Sequence, residues 1–285
     1  MTRKKILITG GNSTLGSHLK PFLSEAAEII TLGRTGCDIT FDLSPGGADV
    51  SLPGVDVVVH TAARFGGASA RDFLDTMAVN VLGTVKICQM AIAAGATHVI
   101  IISSAYVNLR PSSEHYGVYS LSKRQAEEAA LLYCQKHTMP LAILRPSQLY
   151  GDDNRFRRHQ PFFYDIVDKA QAGEDVVLFG TNDARRNFLH VDDLCQAIEG
   201  VASKSLTGTF ACMQPRDVTY SGIAHAAIEA FRSKSKVRFA PERDNMPDNT
   251  LPADNTLYER LGYYPKVSLA EGMARIAARR SRDMQ

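Results

Sequence analysis

The chain has 285 residues, of which 45% are hydrophobic and 22% charged. That leaves room for one large domain or about two ordinary ones at roughly 150 residues each, and it excludes a mini-protein scaffold, a collagen-like repeat or a disordered chain. Thirty-two Lys+Arg against 30 Asp+Glu leave a formal charge of +2, so no one-sided field argues for nucleic acid or a polybasic membrane surface as a partner.

Five cysteines (Cys37, Cys88, Cys134, Cys195, Cys212) without a CxxC pair predict reduced thiols, a cytoplasmic setting and no metal site. The N-terminal MTRKKILITGG is too poor in apolar residues for a secretory signal, and no apolar run approaches ~18 residues, so no membrane span is expected.

Short β-rich runs alternate with helical patterns through the first half of the chain. Strands are expected at Lys5–Thr9, Glu28–Leu32, Val55–His60, His98–Ser103 and Leu141–Arg145, whose near-continuous Val/Ile/Leu content suits a parallel sheet covered on both faces. Leu15, Leu19, Phe22 and Leu23 form one helical stripe; Phe73, Met77, Val81 and Val85 form another. The alternation predicts a doubly wound α/β fold of Rossmann type over residues 1–150, completed by parts of 180–215. The polar run 151–160 and the Asp/Asn/Pro-rich run 244–255 are loops, and 151–285 is expected to form a small substrate-binding lobe of interleaved segments.

Gly10, Gly11 and Gly16 punctuate the turn from the first strand into the first helix. Glycine there lets a backbone approach a pyrophosphate, whose charge the helix N-terminus favours. At the end of the second strand, Gly33-Arg34-Thr35 offers a guanidinium where NAD sites have a carboxylate, which favours the 2′-phosphate of NADP over NAD. Tyr119 and Lys123 stand four apart at the start of a helical stretch, on one face. A neighbouring ammonium and a positively charged nicotinamide together favour phenolate and bring a phenol toward acid-base work near neutrality. Ser103 and Ser104 end the fourth strand, where a hydroxyl can bind a carbonyl.

These segments resemble the extended short-chain dehydrogenase/reductases, the epimerase/dehydratase group. Thr9-Gly-Gly-Asn-Ser-Thr-Leu-Gly16 is similar to the family's TGxxGxxG turn, with Ser13 at the middle glycine, where a side chain either crowds the pyrophosphate or bonds to it. Asp42-Leu43 resembles the pair beside the adenine, His60-Thr-Ala-Ala63 the HxAA turn, and Asn80-Val-Leu-Gly-Thr84 the NxxGT segment. Leu144–Gly151 resembles LRPxxxYG and Arg186–Asp193 resembles RDFxHVxD, so the resemblance covers nearly the whole chain.

The resemblance implies a dinucleotide on Gly10, Asn12, Ser13, Leu15, Gly16, Arg34, Asp42, Leu43, Ala62, Ala63, Asn80, Tyr119, Lys123 and Pro146. It implies a catalytic triad of Ser104, Tyr119 and Lys123, with Ser103 as the alternative serine. The substrate it implies is a nucleotide sugar held by Ser104, Arg186 and Arg243, with Val177–Gly180 beside the base or simply in the core.

Departures from the family pattern narrow the reaction. Ala105 and Tyr106 follow Ser104 where the 4,6-dehydratases carry Asp-Glu, so dehydration is not expected. Ala105 also replaces the cysteine of members that both epimerise and reduce, although His159 or His190 could serve as another base. The expected activity is NADP(H)-dependent reduction of a nucleotide-linked keto-sugar; the alternative is a nucleotide-sugar 4-epimerase with tightly bound NAD. A non-catalytic dinucleotide sensor would have a broken triad, and this one is intact. A homodimer is expected through the helices 71–94 and 120–136, whose apolar residues exceed one buried stripe.

Overall fold

The computed structural model describes residues 3–46 and 50–283. In chain order it runs β1 (Lys4–Thr9), α1 (Thr14–Leu23), β2 (Ala27–Gly33), β3 (Ile39–Thr40), β4 (Val57–His60), α2 (Ala70–Met77), α3 (Gly83–Ala93), β5 (His98–Ile102), α4 (Val118–Lys136) and β6 (Leu141–Pro146). There follow β7 (Gln148–Tyr150), α5 (Pro161–Ala172), β8 (Val176–Phe179), β9 (Arg185–Arg186), β10 (Phe188–His190), α6 (Val191–Lys204) and β11 (Gly208–Cys212). The chain ends through β12 (Val218–Thr219), α7 (Tyr220–Ala230), β13 (Val237–Ala240), α8 (Thr256–Leu261) and α9 (Leu269–Asp283).

Two compact units result. The first holds the chain up to Pro146 together with Cys195–Cys212; the second holds Ser147–Leu194 and the chain from Met213 onward. The first boundary falls directly after β6 and the next inside α6.

The first unit is the expected doubly wound α/β fold. Its seven strands pair in parallel in the order β11-β6-β5-β4-β1-β2-β3. The order reverses between β1 and β4, the switch point beyond whose carboxyl ends such sheets bind ligands. All of β4 and β5 is buried, as strands covered on both faces should be. Sequence periodicity missed β3 and β11: the first has two residues, and the second, Gly208-Thr-Phe-Ala-Cys212, lacks the Val/Ile/Leu run of the others.

One helical expectation needs correction. The stripe Phe73, Met77, Val81, Val85 does not face the core; Phe73 is exposed, and the buried positions are Thr76, Asn80, Gly83, Thr84, Ile87, Cys88 and Ala91. A π-turn at Ala78–Leu82 joins α2 to α3 and shifts the register between them. An 18-residue window of the continuous helix Ala70–Ala93 reaches a mean hydropathy of 1.4, so by length and composition alone this helix could cross a membrane, although it holds no unbroken apolar run. Asn80 and Thr84 interrupt its apolar run, which hid it from a run-length test. Ile87, Cys88 and Ala91 lie in the hydrophobic core of the unit, which accounts for that composition.

The second unit is built from short strand pairs, β10-β7 and β13-β8 parallel and β12-β9 antiparallel, with α5, α7 and α9 packed together. Tyr150, Phe163 and Phe188 form an aromatic core with ring centroids 4.8–6.4 Å apart. Asp193, 2% exposed, accepts from Tyr263 Oη (2.6 Å) and from the backbone N–H groups of Lys266 and Val267 (2.8 and 3.0 Å). Three donors satisfy the buried carboxylate and fix the loop before α9.

Candidate active site

The Gly-rich turn is shaped by its glycines. Gly10 has φ +70° and lies against the Ala62 backbone, and a Cβ on Gly16 would stand 2.2 Å from the Gly10 carbonyl oxygen. Only glycine permits that approach. Ser13 turns out to be the N-cap of α1: its hydroxyl accepts from Gly16 N–H at 3.0 Å and bonds the Thr61 hydroxyl at 3.2 Å. The hydroxyl is therefore occupied in holding the turn to the loop after β4. Asn12 donates to the Thr35 carbonyl at 2.6 Å and ties the same turn to the loop after β2. This backbone cradle at a helix N-terminus fits a dinucleotide pyrophosphate.

Leu15 is buried in the core and Leu43 packs beside Gly83. The Asp42 carboxylate accepts from Ser44 N–H, and Pro146 ends β6 on the same sheet edge as Ala62 and Ala63.

Arg34 is exposed and has no hydrogen bond or ion pair among the described residues. The carboxylate nearest in sequence, Asp38, folds back onto β2 instead: it accepts from Thr31 N–H and Oγ1 at 2.8 and 2.7 Å. Those bonds lower its pKa.

Ser104 and Tyr119 meet in the first unit, and Lys123 reaches the strand end two residues before Ser104. Ser104 ends the segment after β5, and its hydroxyl shares a hydrogen bond with the Tyr119 phenol while accepting from Tyr106 N–H at 3.2 Å. Lys123, 4% exposed, donates to the Ile102 carbonyl at 2.7 Å. Ser103, the alternative serine, is buried with no partner for its hydroxyl.

The protein's own groups do not lower the pKa of the phenol. Burial pushes the Tyr119 phenol up to about 12, against the opposing pull of Ser104, and burial draws Lys123 down to about 8 against the nearby Glu127 charge. Glu127 itself is held by Arg145 Nε at 2.9 Å. The residues of this chain thus keep the phenol protonated instead of lowering its pKa, because burial outweighs the stabilisation of phenolate.

A relay that the sequence did not reveal supports this centre. Thr84 Oγ1 donates to the Asn80 carbonyl at 2.6 Å, so it accepts from His60 Nε2 at 3.0 Å, which leaves His60 Nδ1 to accept from Thr9 Oγ1 at 2.6 Å. The Asn80 amide donates to Arg64 C=O and to Ser122 Oγ, its carbonyl accepts from Arg64 N–H, and Ser122 donates to the Tyr119 carbonyl at 2.9 Å. Asn80 is fully engaged by protein partners and positions the loop after β4 and the start of α4. His60 is buried neutral, its pKa down to about 3 through desolvation and the Lys123 charge. The interval between Ser104 and Tyr119 is closed by Arg124, which donates to the carbonyls of Val107 (2.8 Å) and Leu109 (2.6 Å).

In the second unit, Arg186 is 3% exposed, donates to the carbonyls of Arg185 and Pro247 at 2.7 and 2.6 Å, and lies over the Tyr220 ring at 5.1 Å. No carboxylate among the described residues pairs with it. Arg243 is exposed, with its guanidinium 4.5 Å from the Phe179 ring centroid. Val177 is half-buried, and Phe179 stands between Arg243 and Phe162. His190 does not serve as a free base: it bonds Asp152 at 2.9 Å and accepts from Asp192 N–H, capping α6. His159 is half-buried and its pKa falls to about 4.

A family model described as "NAD dependent epimerase/dehydratase family" matches residues 6–209. UDP-glucuronic acid decarboxylase 1 from Danio rerio is 23% identical over 314 residues, covering 99% of this chain and 74% of that protein. Among solved structures, UDP-glucuronic acid 4-epimerase from Bacillus cereus in complex with NAD superposes with a TM-score of 0.78 at 21% identity, over 99% of this chain and all of the other. RMD from Pseudomonas aeruginosa complexed with NADPH gives a TM-score of 0.77 at 20% identity, over 98% and 97%.

Proposed function

We propose, from the premise that the chain belongs to the NAD dependent epimerase/dehydratase family, that this enzyme uses NADP(H) to reduce a keto group on a nucleotide-linked sugar. The observation that carries the reading is Arg34, an unpaired guanidinium at the end of β2 with the nearby Asp38 turned away onto Thr31. A 2′-phosphate supplies the anion such a residue lacks, whereas a ribose hydroxyl calls for a carboxylate.

A nucleotide substrate is supported by Arg186. A buried guanidinium without a carboxylate is costly to fold around, and a diphosphate compensates it with bidentate contacts. Arg243 is the second proposed anion ligand.

When bound, the dinucleotide supplies the two-electron redox chemistry. Tyr119, kept protonated, gives its proton to the substrate oxygen, and Ser104 donates a hydrogen bond to that oxygen. Lys123 keeps donors beyond the one held by Ile102, for the ribose of the dinucleotide. The alternative, 4-epimerisation with retained NAD, is supported by the epimerases among the similar structures, such as that from Bacillus cereus with NAD.

Extraction of the freshly purified protein tests the choice. The expected result is little retained dinucleotide and oxidation of added NADPH with nucleotide keto-sugars; stoichiometric, non-exchanging NAD would overturn the reductase reading.

A homodimer belongs to the same reading. Five of the large hydrophobics left exposed, Phe73, Leu74, Leu82, Leu131 and Leu132, lie on the helix 70–93 and on α4. None of the five cysteines forms a disulfide, which fits a cytoplasmic setting.

A further inference from the structure

Phe65 lies in the loop after β4, 47% exposed, with its ring stacked on that of Tyr119 at 4.7 Å between centroids and 15° between planes. A phenylalanine placed for the core is buried; this one leaves almost half its surface outside and puts a face on the phenol. Its backbone is held on both sides. The preceding residue, Arg64, has its N–H and C=O both bonded by the Asn80 carboxamide at 2.8 Å, and its guanidinium bonds Asp72 at 2.7 Å. The following residue, Gly66, has φ +94°, and a Cβ there would come within 2.6 Å of Val118, the neighbour of Tyr119. Asn80 also bonds Ser122, which bonds the Tyr119 carbonyl, so the same carboxamide sets both the loop and the helix turn that carry the two rings.

We propose that Phe65 is a positioning residue for the proton-donating phenol: its ring fixes the plane of Tyr119 and shields one face of it from water. The proposal rests on the reading of Tyr119 as the acid. The hydroxyl edge stays beside Ser104, so a carbonyl oxygen meets the phenol at its edge and not over its ring. Water excluded from the ring disfavours phenolate, in the same direction as the raised pKa of Tyr119. The polar groups that act on the phenol are Ser104 and Tyr106 after β5; Lys123 lies one turn further along the same helix, and Arg64, next to Phe65 in the chain, is paired with Asp72 and Asp75 on α2. None of them needs to change for Phe65 to act.

The test uses the full chain with ¹³C-labelled tyrosine, the Tyr119 resonance being assigned with Tyr119→Phe. At a fixed alkaline pH where the unsubstituted protein keeps Tyr119 protonated, Phe65→Ala should make the phenol roughly tenfold more acidic. Phe65→Trp, which keeps a ring on Tyr119, should restore the original behaviour. With substrate, Phe65→Ala should lower kcat about tenfold while the KM for dinucleotide stays within twofold. An unchanged phenolate fraction in a folded Phe65→Ala protein would overturn the proposal. Full activity of Tyr119→Phe would instead overturn the acid role of Tyr119, and the NMR measurement would still report whether Phe65 sets its ionisation.

Discussion

The Lys123 ammonium donates to the Ile102 carbonyl at 2.7 Å, which anchors α4 to the end of β5 two residues before Ser104. Helix and strand end are thereby held by one buried charge. Its pKa, drawn from 10.5 down to about 8, means that the folded state binds the proton less well than the unfolded chain. This contribution to stability therefore rises with pH between those values, and at neutral pH the buried ammonium is a burden.

Lys123→Met should remove that burden and also orphan the Ile102 carbonyl, which costs about 1–3 kcal/mol. The two effects are of similar size and opposite sign, so Tm at neutral pH should move by no more than a few degrees. Turnover should fall by about 100-fold or more, because the ammonium proposed to hold the ribose of the dinucleotide is gone. Calorimetry and steady-state kinetics check the pair of outcomes; a large drop in Tm with retained kcat would make Lys123 structural only.

Arg34→Ala should weaken NADPH roughly ten- to a hundredfold, the range expected from losing charge-assisted bonds worth about 1.5–3 kcal/mol. NADH should change less than twofold. Titration of both dinucleotides decides the matter, and equal weakening would remove the 2′-phosphate contact.

Neutral His60 contributes stability that is present above its unfolded value of 6.5 and is lost as pH falls from there toward about 3. Wild-type Tm should therefore drop across that window. His98 and His159 are shifted downward as well, so the informative comparison is with His60→Gln, which keeps an acceptor and a donor but cannot be protonated. A shallower acid slope in the variant is expected; identical slopes would show that His60 is not the titrating group.

Leu74 and Leu132 are 66% and 72% exposed on α2 and α4. In a two-fold dimer each is buried twice, so Leu132→Glu should weaken association by about 3–6 kcal/mol. Sedimentation should show a wild-type dimer and a mostly monomeric variant. A wild-type monomer at all concentrations would end the dimer reading.

Amino-acid order alone determined the features that depend on near neighbours. The apolar runs of β1, β4 and β5, the glycines at 10 and 16 that only a close turn requires, and the four-residue step from Tyr119 to Lys123 are local, because backbone sterics and helix pitch act over a few residues. Tertiary structure decided which partners those residues meet. Ser13 is the N-cap of α1 because Gly16 N–H lies within its reach, and Thr61 takes its second bond. Asn80 is spoken for by Arg64 and Ser122, 16 and 42 residues away in sequence. Phe65 lands on Tyr119 across more than fifty residues of chain. Periodicity reports which face of an element is apolar but carries no information on what a distant segment lays against it, and that contact, through desolvation, sets the protonation of Tyr119 and Lys123.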